Sequence, residues 1–217
     1  MPAVTISAGY GAGGSPVARA VAERLGYPLL DRAISSAVAE RLQVTPAEAE
    51  EGSVKRSFVE RFFGVLAPQV GGGVLEPADG GMSVLPAQEA AQFREQAEAI
   101  VREALPGGVV VLGRAGSAML SGNTDVLRVR LFGPKAARAA HAAQAEGIDV
   151  ETAAKQLPGI DRARAHYVRR LYECDIDDPA LYHLQLDSTA LPLDACVDVI
   201  VRAYDGLRGR PSPTGDG

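Results

Sequence analysis

Apolar and polar positions switch between strand and helix periods along this chain. Residues 3–7 (Ala-Val-Thr-Ile-Ser) are short, apolar and β-branched, which predicts a buried strand. Gly9-Tyr10-Gly11-Ala12-Gly13-Gly14 follows and is too rich in glycine for regular structure. Ser15-Pro16 then reads as a helix N-cap with proline at the first helical position. Val17, Val21 and Leu25 make an apolar stripe, and Gly26 stops the helix. Residues 27–31 read as a short second strand ending in the acid Asp31, and 32–42 as a helix. Phe93, Ala97, Ile100, Val101 and Leu105 mark a helix over 87–105, closed by Pro106-Gly107-Gly108. Residues 109–112 form a fully apolar strand stopped by Gly113-Arg114, and 126–132 a strand in which Arg128 and Arg130 alternate with apolar residues. An alanine-rich helix over 134–146 follows, then one or two very basic helices over 149–174, a short strand at 184–187 and a last helix at 192–206. Strands alternating with helices predict an α/β class, a three-layer α/β/α sandwich around a mostly parallel sheet.

The stretch 45–90 breaks this rhythm. Thr45-Pro46 opens a helix, Phe58, Phe62 and Phe63 share a helical face, and Gly71-Gly72-Gly73 and Gly80-Gly81 bracket a loose connection. It reads as an insertion or helical lid within a single domain over 1–206, with 207–217 a disordered tail. An exposed aromatic insertion also points to a homodimer.

Composition narrows the function classes. A chain of 217 residues with 47% hydrophobic and 23% charged residues is globular. Its 22 Lys+Arg against 27 Asp+Glu leave a net charge of −5, the wrong sign for a protein that coats nucleic acid. An anionic ligand must therefore meet a local arginine cluster. Only Cys174 and Cys196 are present, which excludes a disulfide scaffold, and His141, His166 and His183 are too dispersed for a local metal set. With no long apolar run and no signal-peptide pattern, the expected location is the cytoplasm, with no membrane partner.

A glycine loop between a strand and a helix is an anion site, because convergent backbone N–H groups meet the positive end of the helix dipole. Two patterns compete. Gly9-x-Gly11-x-x-Gly14 fits the dinucleotide fingerprint, with Asp31 near the offset of a ribose-binding acid. The alternative is a degenerate P-loop, G-x-x-x-x-G-K-[ST], with Ser15 at the hydroxyl position and Gly13 as the final glycine. Ala8 then replaces the first glycine and Gly14 the lysine. By loop spacing alone the dinucleotide pattern fits better. The arginines reverse that order. Arg162, Arg164, Arg169 and Arg170 crowd one segment, with Lys155 and His166 nearby. Phosphoryl transfer requires such charge and dinucleotide domains do not. Helical spacing puts Arg162, His166 and Arg169 on one face. Arg114, after a strand and a glycine, falls at the carboxyl end of the sheet, where ligands bind in open α/β folds.

These segments together resemble the cytidylate kinase-like family. The resemblance rests on Thr5-Ile6-Ser7 with its glycine loop, the helix Pro16 to Tyr27, Asp31-Arg32, Val110-Val111-Leu112-Gly113-Arg114, the run Asp161 to Tyr167, and the run Tyr182 to Thr189. It extends from about residue 3 to 205 in the expected order and leaves 45–90 unmatched. It implies a P-loop nucleoside-monophosphate kinase fold, with ATP and Mg²⁺ as donor and a nucleotide-like acceptor. Gly11, Ala12, Gly13, Gly14 and Ser15 would cradle the donor phosphates, with Ser15 the Mg²⁺ ligand. Asp31 and Arg114 would face the acceptor, Arg162 and Arg164 would be lid arginines bridging the phosphates, and Arg138 would lie near the donor base. Arg114, Arg162 and Arg164 are thus the expected catalytic residues. The chain departs from the standard loop in lacking the lysine, and cytosine selection does not carry over, because the acceptor region is unmatched. Two other readings stand beside the kinase: a nucleotide-binding regulatory protein that has lost turnover, and an NAD(P)-dependent oxidoreductase.

Overall fold

A computed structural model describes residues 2–31, 87–113 and 115–209. The expected helix at 32–42, the insertion up to residue 86, its phenylalanines, Arg114 and the tail from 210 lie outside the described residues. The chain divides into two compact units, one made of Met1–Asp31 and Val101–Gly217, the other of Arg32–Ile100. The described residues of the second unit belong to a helix, α2 (Ala87–Ala104), in which Ala97 and Val101 are buried.

The first unit holds a parallel sheet. Its strands are β1 (Ala3–Ala8), β2 (Leu29–Leu30), β3 (Val109–Leu112), β4 (Val126–Phe132) and β5 (Leu184–Asp187), in the order β2-β3-β1-β4-β5. Every pairing is parallel, with Thr5 beside Val111 on one side and Arg128 on the other. The helices between and after them are α1 (Gly14–Leu25), α3 (Gly116–Met119), α4 (Lys135–Glu146), α5 (Val150–Tyr172) and α6 (Leu193–Arg208).

Strand periodicity sorts the two faces of this sheet. Val4, Ile6, Val110, Leu127, Val129 and Leu131 face one way and are buried against Val17, Ala18 and Val21 of α1 and Val197, Ile200 and Tyr204 of α6. The other face carries Thr5, whose hydroxyl bonds Ser117 of α3 at 2.9 Å, and Ser7, which accepts from Arg130 at 2.8 Å. Helices α1 and α3 therefore leave adjacent strands, β1 and β3, toward opposite faces. That divergence opens a crevice beyond the carboxyl ends of the two strands.

Two local details differ from expectation, at the start of α1 and the end of α6, and a third decides between one helix and two in the basic segment. Helix α1 starts at Gly14, with Gly13 as its N-cap at φ 66°, so Ser15 and Pro16 sit inside the first turn instead of capping it. Gly13 can adopt the left-handed cap conformation that serine takes only with strain. The basic segment is one helix despite Pro158, with Asp149 as its N-cap accepting from the Thr152 amide at 2.8 Å. The final helix runs on to Arg208, past the expected start of the tail.

Candidate active site

The glycine loop joins β1 to α1 across the mouth of the crevice. The first intrahelical bond runs from the Val17 amide to the Gly13 carbonyl at 3.2 Å. The amides of Gly14 and Ser15 precede it and have no intrahelical acceptor, while Pro16 has no N–H to offer. The helix dipole and these amides favour an anion in front of the loop. Ser15 is exposed at the second helical position. Mg²⁺ bound with a nucleotide takes few protein ligands and completes its shell with phosphate oxygens and water. One free hydroxyl fits that demand, and the described residues contain no cluster of metal-ligating side chains that would suggest a dedicated cage.

Side chains from α4 and α5 fix the loop. The Tyr10 amide donates to Asp161 Oδ1 at 3.0 Å, and the Tyr10 carbonyl accepts from Arg138 Nη1 at 3.1 Å. Arg138 also donates to Asp161 Oδ2 at 2.8 Å and, through Nε, to the Gly133 carbonyl at 3.0 Å. One carboxylate and one buried guanidinium thus clasp a single loop residue at both its N–H and its C=O. The Tyr10 ring packs into a small core of Ala139, Ala142, Ala143, Ala153 and Leu157, where alanines let α4 and α5 approach closely. Its hydroxyl donates to Glu146 at 2.7 Å. Burial first, then the bond to Glu146, pushes the phenol far above its usual range, so Tyr10 stays a neutral anchor. Beyond the loop, the Ser188 hydroxyl after β5 donates to the Ala12 carbonyl at 2.8 Å.

The loop's glycines are required by this packing. Gly11 has φ 74°, and a Cβ there would collide with the Arg138 carbonyl oxygen. A Cβ at Gly14 would lie 2.7 Å from the Ala8 methyl.

The arginines of α5 divide into two sets. Arg162, His166 and Arg169, placed on one face by spacing, are all exposed, and Arg169 pairs with Asp175 at 3.5 Å. Arg164 is half-buried and turns the other way, donating from Nη1 to the Ala8 carbonyl at 2.9 Å. The direction of that carbonyl follows from its peptide plane. The Gly9 amide of the same unit donates to Leu131 on the β4 side at 3.2 Å, so in a trans peptide the Ala8 oxygen points toward β3. Arg164 therefore occupies the β1–β3 crevice, at the base of the glycine loop. On the β3 side, the Gly113 amide donates to the Ile6 carbonyl at 2.8 Å, and Ala115 holds φ 57°, a strained value for a residue with a side chain. These residues flank position 114.

Asp31 follows β2 at the edge of the sheet, separated from β1 by β3. Dinucleotide domains place their second strand directly beside the first, so that its terminal acid reaches the cofactor ribose. Here that neighbour is β3, and the dinucleotide pattern in the loop is overturned by the strand order. Cys174 lies just after the arginine-bearing helix and is a free thiol. Burial, then Asp175 and Asp178, push its thiol up, which disfavours the thiolate.

Sequence reasoning missed the clasp. Tyr10 counted only as a spacer between glycines, and Asp161 only as a member of a motif. The signal was a bulky aromatic inside a glycine loop, which must find a pocket elsewhere.

The model of the cytidylate kinase-like family matches residues 3–190. A cytidylate kinase from Methanopyrus kandleri is 31% identical over 121 residues, covering 52% of this chain and 63% of the archaeal protein. The chain thus spans somewhat less than two thirds of that relative. A solved structure of an uncharacterized protein from Eubacterium ventriosum superposes with a TM-score of 0.65 at 18% identity, over 94% of this chain and 99% of the other. A gluconokinase from Sinorhizobium meliloti does so with a TM-score of 0.50 at 15% identity, over 95% of each chain. The parallel sheet, the loop and these likenesses define a P-loop kinase fold, and the chain belongs to the cytidylate kinase-like family.

Proposed function

We propose that this protein is an ATP-dependent phosphotransferase that moves the γ-phosphoryl group of ATP to a small acceptor of the nucleoside-monophosphate type. The observation that carries this reading is Arg164 in the β1–β3 crevice, facing the base of a loop whose amides favour phosphate. Anion donors on one side and a guanidinium on the other are what a phosphoryl group in transfer requires.

In this reading the Gly13, Gly14 and Ser15 amides bind the donor phosphates, with Gly11 and Ala12 shaping the turn. Ser15 would hold the Mg²⁺, which supplies charge neutralisation when bound. Arg164 and the exposed Arg162 stabilise charge on the transferring group. Asp31 and Arg114 orient the acceptor. Arg138 supports the loop through Tyr10 and lies toward the donor. Catalysis is positioning plus electrostatics, with no covalent intermediate on the protein. The relatives' name makes CMP the first acceptor to try.

The test is direct detection of nucleoside diphosphate from ATP–Mg²⁺ with CMP, dCMP, UMP, AMP or GMP. Product with one acceptor supports the reading, and no product with any refutes the monophosphate class. The closed position 14 favours a second reading, a regulatory nucleotide-binding protein. It predicts ATP binding without transfer.

A further inference from the structure

A lysine in a P-loop points back over the loop from the residue before the hydroxyl position. In this chain that residue is Gly14, and the structure shows more than a missing side chain. A Cβ at Gly14 would lie 2.7 Å from the Ala8 Cβ and 3.4 Å from Leu112 Cδ1. The first distance is below what real Cβ atoms tolerate, and the obstructing atom is a methyl on a strand, which cannot swing away. The backbone at Gly14 is ordinary helix, since its φ is not in the left-handed region. Only the Ala8 methyl closes the position. Ala8 stands where the standard loop has glycine, so the two departures are reciprocal: one methyl gained at position 8, every side-chain atom lost at 14.

The same residue receives the replacement charge. The Ala8 carbonyl, turned toward β3, accepts from Arg164 Nη1 at 2.9 Å. We propose that Ala8 and Arg164 together replace the loop lysine: the Ala8 methyl bars any side chain from position 14, and its carbonyl docks a guanidinium from α5 beside the phosphate site. The inference rests on the phosphotransferase reading for its purpose, but its geometry is independent of it. A cation delivered from α5 instead of from the loop itself makes phosphate binding depend on the placement of that helix, and Asp161, one turn earlier on α5, ties the helix to the loop at Tyr10.

Melting temperatures test the steric half. Gly14→Ala is expected to melt about 3–8 °C below the wild type, and Ala8→Gly/Gly14→Ala to recover most of that loss. A Gly14→Ala protein as stable as the double variant overturns the inference. The charge half is read by calorimetric binding of inorganic tripolyphosphate. Arg164→Ala is expected to weaken it about tenfold, and Ala8→Gly/Gly14→Lys in that background to restore it. Arg164→Gln, which keeps a donor for the Ala8 carbonyl, serves if the alanine variant fails to fold. Unchanged affinity on loss of Arg164, or no rescue in a folded triple variant, overturns the inference. A wild type that binds tripolyphosphate but transfers nothing from ATP refutes the phosphotransferase reading alone. A wild type that binds no tripolyphosphate refutes both.

Discussion

The glycine loop and the apolar layer behind it grow from the same strand, yet different forces hold them. On the α1 side of β1, Val4 and Ile6 lie in a continuous apolar core with α1 and α6, and burial alone accounts for their placement. The loop that follows Ala8 has few apolar atoms. It is held by a hydrogen bond to Asp161, by hydrogen bonds from Arg138 and Ser188, and by one ring anchored among alanines. The apolar layer can absorb small changes of shape, because hydrophobic contact is non-directional. The loop cannot, because each contact has one donor, one acceptor and one geometry. The two parts should therefore answer differently to substitution.

The sharpest break between the two is Gly11→Ala. The new methyl meets the Arg138 backbone and the residue keeps a positive φ, so the loop has to open. We expect a cost of more than about 3 kcal/mol in urea unfolding and loss of stabilisation by ATP–Mg²⁺. Ile200→Ala should cost about 2–5 kcal/mol through its cavity, while the folded fraction binds ATP as the wild type does. If ATP affinity per folded molecule fell as well, the separation of loop and core would fail. In the site itself, Arg164→Ala should lower kcat about a hundredfold and ATP affinity about tenfold, because its charge acts on the bound phosphates and more strongly on the group in transfer. Arg162→Ala should show the same imbalance, and an unchanged kcat in both would remove the arginines from the mechanism.

Asp161→Asn is a milder probe. It keeps the shape and an acceptor for the Tyr10 amide but removes the charge that faces Arg138. A loss of about 1–3 kcal/mol is expected, with greater hydrogen exchange confined to the loop amides. The smallest effect is at acid pH. The Thr152 hydroxyl, then the Thr152 amide, hold the exposed Asp149 carboxyl below its ordinary value in the folded state. A depressed folded value means that its contribution is complete above the unfolded value, near pH ~3.9, and is lost as pH falls through the lower folded one. Asp149→Asn should flatten the acid limb of a pH–stability curve slightly, leaving the neutral plateau in place.

Most of the architecture was legible because helix and strand periods are strong in the first unit. The alternation Leu127, Val129, Leu131 against Arg128 and Arg130 already separates the faces of β4. The order of strands was not legible, since parallel neighbours are set by crossovers between distant segments. That order decided between the two patterns in the loop. The arginine segment was legible as chemistry but not as geometry. Helical spacing grouped Arg162, His166 and Arg169, which face solvent, whereas Arg164 turns toward β1. Helical phase alone cannot say which face a tertiary partner covers. The start of α1 was misplaced for a related reason: Ser-Pro is a good local cap, but the Gly13 cap is fixed by the packing of Gly11 on Arg138.

Thermal shift of the whole chain with ATP–Mg²⁺ and, separately, NAD or NADP separates a phosphotransferase from a dinucleotide enzyme. Saturation at one hundred times Kd adds about 2.7 kcal/mol, or roughly 5–10 °C for a protein of this size. A rise of that order is expected with ATP–Mg²⁺, enlarged by one nucleoside monophosphate, and none with the dinucleotides. A rise with NAD or NADP and none with ATP–Mg²⁺ would contradict the phosphotransferase reading.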